Sequence, residues 1–143
     1  MSFGPAGSTG GFPLIAADDP CPCGSGDRFD GCCRPLLRGG AAPTAERLMR
    51  SRYTAFVVGD ARHLTATWHP RTRPDDLGLD PAQRWTGLDI VDVEAGAEGD
   101  EEGAVEFRAR WRHGRYRGEL HERSRFVRRA GRWVYQDGTV HES

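Results

Sequence analysis

The chain has 143 residues, about one domain's worth, with 37% hydrophobic residues, 29% charged residues and a net charge of −1. No apolar run approaches the roughly 20 residues that span a bilayer, which excludes a helical membrane protein, and four Trp, three Tyr and six Phe supply too much apolar area for a disordered chain. All 20 basic residues are Arg, and near-neutral charge gives no global attraction to nucleic acid or an anionic membrane, so such binding needs local clustering.

Residues 1–19, rich in Gly, Pro, Ser and Ala, lack the basic start and apolar stretch of a signal peptide. Their composition predicts a mobile arm leading a cytoplasmic protein. All four cysteines follow in the run CPCGSGDRFDGCC, Cys21 to Cys33. Without a secretion signal thiols stay reduced, so so tight a cluster points to a metal more than to two disulfides or free thiols. Cys21, Cys23, Cys32 and Cys33 suit a tetrahedral Zn²⁺, with the Gly-Ser-Gly turn and Gly31 letting the chain reverse around one ion. Iron is the competing metal. A closed four-thiolate site leaves no position for substrate, so its expected role is structural. Arg28, Arg34 and Arg38 are the candidates to offset its negative charge.

After a linker over residues 39–43, Thr44 is a good N-cap and residues 45 to 58 read as a helix closed by Gly59. At about 100° per residue, Ala45, Leu48, Met49, Ala55 and Phe56 share one face, with Arg52 in its middle. Asp60 caps a second helix carrying Leu64 and Trp68, which ends at His69-Pro70 because a residue before proline avoids the α region. Asp80-Pro81 opens a further turn of helix. Leu88 to Ala95 is a strand, followed by an acidic connection from Glu94 to Gly103. Val105, Phe107, Ala109 and Trp111 then alternate with polar residues, the period of a half-buried strand. From Arg115 to Val127 the inner phase holds Tyr116, Leu120, Glu122, Ser124 and Phe126, and Ala130-Gly131 turns into a last strand with Trp133, Val134 and Tyr135. Helices first and antiparallel strands after predict an α+β layer fold.

The cysteine run resembles the SEC-C motif, the small zinc-binding element also found at the C-terminus of the SecA translocation ATPase. AERLMRSRYTAF (45–56), TWHP (67–70), LHERSRF (120–126) and GRWVYQDG (131–138) resemble the bacterial YchJ family. The resemblance implies a SEC-C element at residues 20–38 and a cone-shaped domain at 44–141, helices packed on a curved antiparallel sheet. That domain is similar to the nuclear-transport-factor-two, SnoaL and ketosteroid isomerase superfamily, which holds enzymes and pure binding proteins alike. In SecA the similar element contacts a chaperone, which implies a protein partner here. The superfamily often dimerises through its sheet, which makes a dimer an expectation.

Glu122 occupies the inward phase of an otherwise apolar strand, where a carboxylate must be paired or neutral. Arg52 is the expected partner. The alternative sets Glu122 in a pocket as general acid or base, with Tyr53 or His69 as hydrogen-bond donor and Trp68, Trp111 and Trp133 as walls. His69 equally suits a helix end, and His121, on the outer phase, an exposed site. Ten Arg lie between Arg108 and Arg132 and eight acids between Asp89 and Glu106. These charges either pair across the sheet or leave an Arg surface for RNA or a ribosome. Two functions follow: a zinc-stabilised adaptor or binding protein, or an isomerase or dehydratase using Glu122, His69 and Tyr53.

Overall fold

A computed structural model describes residues 11–141. After the cysteine loop come a 3₁₀ turn, Phe29–Gly31, and a short helix α1, Cys33–Leu37. The longest helix, α2, is Ala45–Val58. Thr44 Oγ1 accepts the Arg47 N–H at 3.1 Å and left-handed Gly59 closes the helix, the start and stop that the sequence predicts. Helix α3, Ala61–Ala66, is capped by Asp60, whose carboxylate accepts the His63 N–H at 3.0 Å.

Helix α3 ends before Trp68, contrary to expectation. Thr67 Oγ1 donates to the His63 carbonyl at 2.7 Å, and the sheet then claims the backbone: Tyr135 N–H donates to Thr67 O and His69 N–H to Tyr135 O, both at 2.8 Å. Nor does Asp80-Pro81 start a helix. The Asp80 carbonyl and carboxylate accept the Gln83 and Ala82 N–H groups at 3.0 and 2.9 Å, and the chain runs straight into a strand.

Strands β1 (Gln83–Ala95), β2 (Glu102–His113), β3 (Tyr116–Arg129) and β4 (Arg132–Val140) form an antiparallel meander in that order. β1 starts ahead of the expected Leu88 because Arg84 and Trp85 pair with Arg112 and Trp111. The register slips between Trp85 and Gly87, which hides the continuation from a pattern of alternation. Further slips at Ile90/Asp92 and Arg125/Phe126 bend the sheet. Ala130 and Gly131, with φ of 54° and 81°, turn β3 into β4.

Helix α2 packs on the inner face of this sheet, burying Leu48, Met49 and Ala55 against Val105, Phe107, Ala109 and Phe126. The cysteine element covers its opposite side and α3 its flank, so Thr54, against Cys33, and Ser51, against His63, are as buried as the apolar stripe. The thiols therefore belong to the same buried cluster as the sheet core. Of the expected arm, residues 1–10 lie outside the described residues. Residues 11–19 are docked: Ile15 packs on the core, and Phe29 and Asp30 N–H groups donate to the Asp19 and Ala17 carbonyls at 2.8 and 3.0 Å. No helix among the described residues is long and apolar enough to cross a membrane.

Candidate metal centre and the pocket of the cone

The loop between Pro20 and Arg28, which meet in an isolated antiparallel bridge, returns the chain on itself and brings the cysteines together. One sulfur from each of Cys21, Cys23, Cys32 and Cys33 lies within 4.8 Å of the others, and all four side chains are buried and free of disulfides. Zinc–sulfur bonds of about 2.3 Å set tetrahedral sulfurs about 3.8 Å apart; Cys23 and Cys32 Sγ are 3.6 Å apart. The donor set fits a closed four-thiolate metal site, and no fifth protein ligand is needed.

Unmetallated, such a cluster resists ionising as a whole. Cys23 is held far below the ordinary thiol range by hydrogen bonds from Cys21 and Cys33, while the same contacts and burial push Cys33 far above it. Burial pushes Cys32 up to about 11. A dication supplies the compensating charge that four crowded thiolates require.

The groups around the sulfurs come mainly from α2. Thr54 Oγ1 donates to Cys33 Sγ at 3.3 Å, and Ser25 Oγ lies 3.1 Å from Cys32 Sγ. Arg50 and Arg47 donate to the Cys23 and Cys32 carbonyls at 2.7 and 3.3 Å. These arginines take the place expected of Arg28 and Arg34, which pair instead with Asp18 and Asp30; Arg38 is the exposed residue after α1. The sequence held one signal for this: Arg47, Arg50 and Thr54 recur at helical spacing opposite the apolar stripe, the mark of a second packed face.

On the other side of α2 the helix and sheet enclose a cavity of about 250 Å³. Of the expected pocket residues, Arg52, Tyr53, Trp68 and Glu122 line it; Phe56 and Leu120, expected only to face inward, and Trp85 and Tyr135 are further walls. Trp111 and Trp133 are not in it. Trp111 lies at the far end of β2, half-exposed and packed over Gly118 across the pair. Trp133 is buried on β4 under the Arg128 guanidinium, 4.6 Å from its ring centre, and faces a different groove. His69 is also absent: its Nδ1 accepts the Arg71 N–H at 3.1 Å in the turn after α3.

Arg52 and Glu122 face one cavity without forming the expected direct pair. The guanidinium is held by the Leu64 carbonyl at 3.0 Å and Thr67 Oγ1 at 2.7 Å, and lies 4.7 Å from both the Trp68 and Tyr135 ring centres. Burial lowers it to about 10, opposed by Tyr135 and Glu122, so it stays charged at neutral pH. Glu122 Oε2 accepts from Ser124 Oγ at 2.7 Å and Tyr135 Oη at 3.0 Å. Tyr135 thus stands between cation and carboxylate, one face to Arg52 and its hydroxyl to Glu122. Gly138 makes room for that carboxylate, since a Cβ there would lie 2.7 Å from Glu122 Cδ. Tyr53, pushed up to about 12 by burial, stays a neutral donor.

The outer face of the sheet is an ion-pair lattice. Arg108 meets Glu119 at 2.8 Å, Arg110 meets Asp89 at 2.5 Å, and Arg125 meets Asp137 at 2.5 Å. Arg123 bridges Asp92, Glu94 and Glu106 at 3.0, 2.6 and 3.2 Å. His121 is on this face, 2.6 Å from Glu106. Much of the charge in the two blocks of the sequence therefore meets across the strands, while Arg112 and Arg117, opposite each other in the register, make no ion pair among the described residues.

Residues 44–138 match the family model described as the YchJ middle, NTF2-like domain. A UPF0225 protein of Streptomyces coelicolor is 57% identical over 120 residues, covering 83% of this chain and 94% of that protein. A UPF0225 protein of Chromobacterium violaceum is 49% identical over 125 residues, 84% of this chain and 92% of that one. Among solved structures, a SEC-C motif containing protein from Rhodopseudomonas palustris is similar with a TM-score of 0.74 at 36% identity, covering 85% of this chain and 98% of that one. One from Psychrobacter arcticus has a TM-score of 0.68 at 28% identity, covering 89% and 85%. With its cysteine cluster folded against an NTF2-like α+β domain, the chain belongs to the YchJ family of UPF0225 proteins.

Proposed function

We propose that this protein is a cytoplasmic binding module in which zinc, held by Cys21, Cys23, Cys32 and Cys33, braces α2 from one side while the cone pocket on the other takes a small ligand. In this reading the metal is structural, and the SEC-C element presents a surface to a protein partner. The observation that carries the ligand site is the state of Glu122. Oε2 is satisfied by Tyr135 and Ser124, whereas Oε1 accepts no hydrogen bond from a described residue and the carboxylate lines the cavity. At about 250 Å³ the space is just under the roughly 300–1,000 Å³ of drug-sized pockets. That size and its aromatic walls suit a compact, mainly apolar molecule that donates one hydrogen bond.

Native mass spectrometry of the protein as purified, with metal analysis by plasma emission, tests both halves. One zinc per chain and a copurified small molecule are expected. Glu122→Gln should weaken rebinding of that molecule about tenfold, the worth of a hydrogen bond to a charged acceptor. A chain that carries iron, or a pocket whose occupant ignores Glu122, would count against the reading.

A second reading makes Glu122 a proton acceptor in an isomerase or dehydratase, with Tyr53 as donor, because both line the pocket. Turnover of the copurified molecule, abolished by Glu122→Gln, is its test.

A further inference from the structure

A second groove lies between the end of α1, the turn after α3 and the β3–β4 turn. Four arginines line it, Arg62, Arg73, Arg129 and Arg132, and no Asp or Glu does. None of the four is in an ion pair among the described residues, in contrast to Arg108, Arg110, Arg123 and Arg125 of the outer sheet face, each of which a carboxylate neutralises. Three are pinned in place through one N–H: Arg62 to the Leu37 carbonyl at 2.6 Å, Arg132 to the Gly39 carbonyl at 2.5 Å, and Arg73 to the Thr65 carbonyl at 3.0 Å. Each keeps further N–H donors free. The fold thus gathers positive charge here without supplying its counter-charge.

The groove's surroundings tell which anion suits it. Its floor is aliphatic, with Leu36, Ala42, Leu48 and Val134, and its two aromatic side chains are already engaged: Trp133 is 2% exposed beneath Arg128, and half-buried Trp68 has Arg52 over its ring and Tyr135 edge-on against it. The two buried indole N–H groups without a partner among the described residues, those of Trp68 and Trp133, belong to side chains lining this groove. β4 is an edge strand. Its outward peptide groups at Tyr135 are taken by Thr67 and His69, and Trp133, two residues earlier and on the same phase, borders the groove.

We propose that this groove docks an acidic, extended peptide segment of a partner protein, carboxylates on the four arginines and aliphatic side chains on the floor. The proposal rests on the binding-module reading for its protein partner, and it assigns that partner a chemistry. It is independent of the cone pocket.

The test is fluorescence polarisation of a labelled peptide alternating Glu with Leu, with its Lys-for-Glu counterpart and a single-stranded oligouridylate as comparisons. The Glu peptide is expected to bind, more weakly as salt is raised. Arg129→Glu should reduce its affinity about tenfold, whereas Arg115→Glu, an equal charge change on the exposed β2–β3 turn, should reduce it by less than about twofold. Arg129 makes no side-chain ion pair among the described residues, so its variant should stay folded; Arg132→Gln provides a second reading of the same site. Glu122→Gln should leave peptide affinity unchanged, which separates failure of this site from failure of the pocket. Absence of peptide binding, equal losses in Arg129→Glu and Arg115→Glu, or oligouridylate binding tighter than the peptide and lost in Arg129→Glu would each overturn the proposal.

Discussion

His63 makes the stability of this fold depend on pH in a defined window. Its side chain is 4% exposed, and Nε2 lies 2.9 Å from Ser51 Oγ, whose own proton goes to the Leu48 carbonyl at 2.8 Å. That arrangement makes Nε2 the donor of a neutral imidazole. Burial holds the ring down at about 4, with the charges of Arg52 and Arg62 acting in the same direction and Asp60 against them. An unfolded chain takes up this proton near pH 6.5, but the folded one only near pH 4, so stability falls as pH drops through that interval. At roughly 1.4 kcal/mol per pH unit the full effect is about 3 kcal/mol, a large share of a typical 5–15 kcal/mol total. Acid also loosens any thiolate-bound metal, so the measurement is comparative: urea unfolding of the wild type and His63→Gln from pH 7.5 to 4.5 in fixed zinc. The wild type is expected to lose about 2 kcal/mol more than the variant over that range. Parallel pH profiles for the two proteins would refute the reasoning.

Two further predictions concern the cysteine side of α2. Cys33→Ser should abolish stoichiometric metal binding and lower the melting temperature of the entire chain in one transition, because the sulfurs share a buried cluster with the sheet core; a calorimetric scan that instead splits, with the sheet melting unchanged, would show the element to be separable. Thr54→Val keeps the shape of a fully buried side chain but deletes its hydrogen bond to Cys33 Sγ. It should cost about 1 kcal/mol in urea unfolding and, by competition with a chromogenic chelator, weaken zinc affinity at least about tenfold.

Local signals were sufficient wherever the deciding contacts were near in the chain. The caps of α2 and α3 depend on a side chain three residues from the N–H it accepts, the β3–β4 turn on two adjacent residues, and the four cysteines fall within a single run. The inward phase of β3 placed Glu122 correctly against the cavity, since a strand's period of two is fixed by its backbone. Signals failed where a distant backbone competed. Trp68 left its helix because Tyr135 of β4 bonds to both of its neighbours in the chain, and the first part of β1 escaped notice because a register slip at Gly87 interrupts its alternation.

By itself, then, the sequence determined the α+β order of elements, the gathering of four cysteines in one short run and the inward carboxylate of β3, each written in the spacing of a few neighbouring residues. Only the tertiary structure decided the partners. Arg52 and Glu122 share a helical and a strand phase that point inward, yet Tyr135 comes between them. Arg47 and Arg50 answer the cysteine loop in place of Arg28 and Arg34. Which arginines are neutralised and which stay free, on the sheet face and in the groove, depends on strand register and on the docking of α1 against α2. Most of this pairing joins side chains on different strands, and the spacing of neighbouring residues does not record which cation meets which carboxylate.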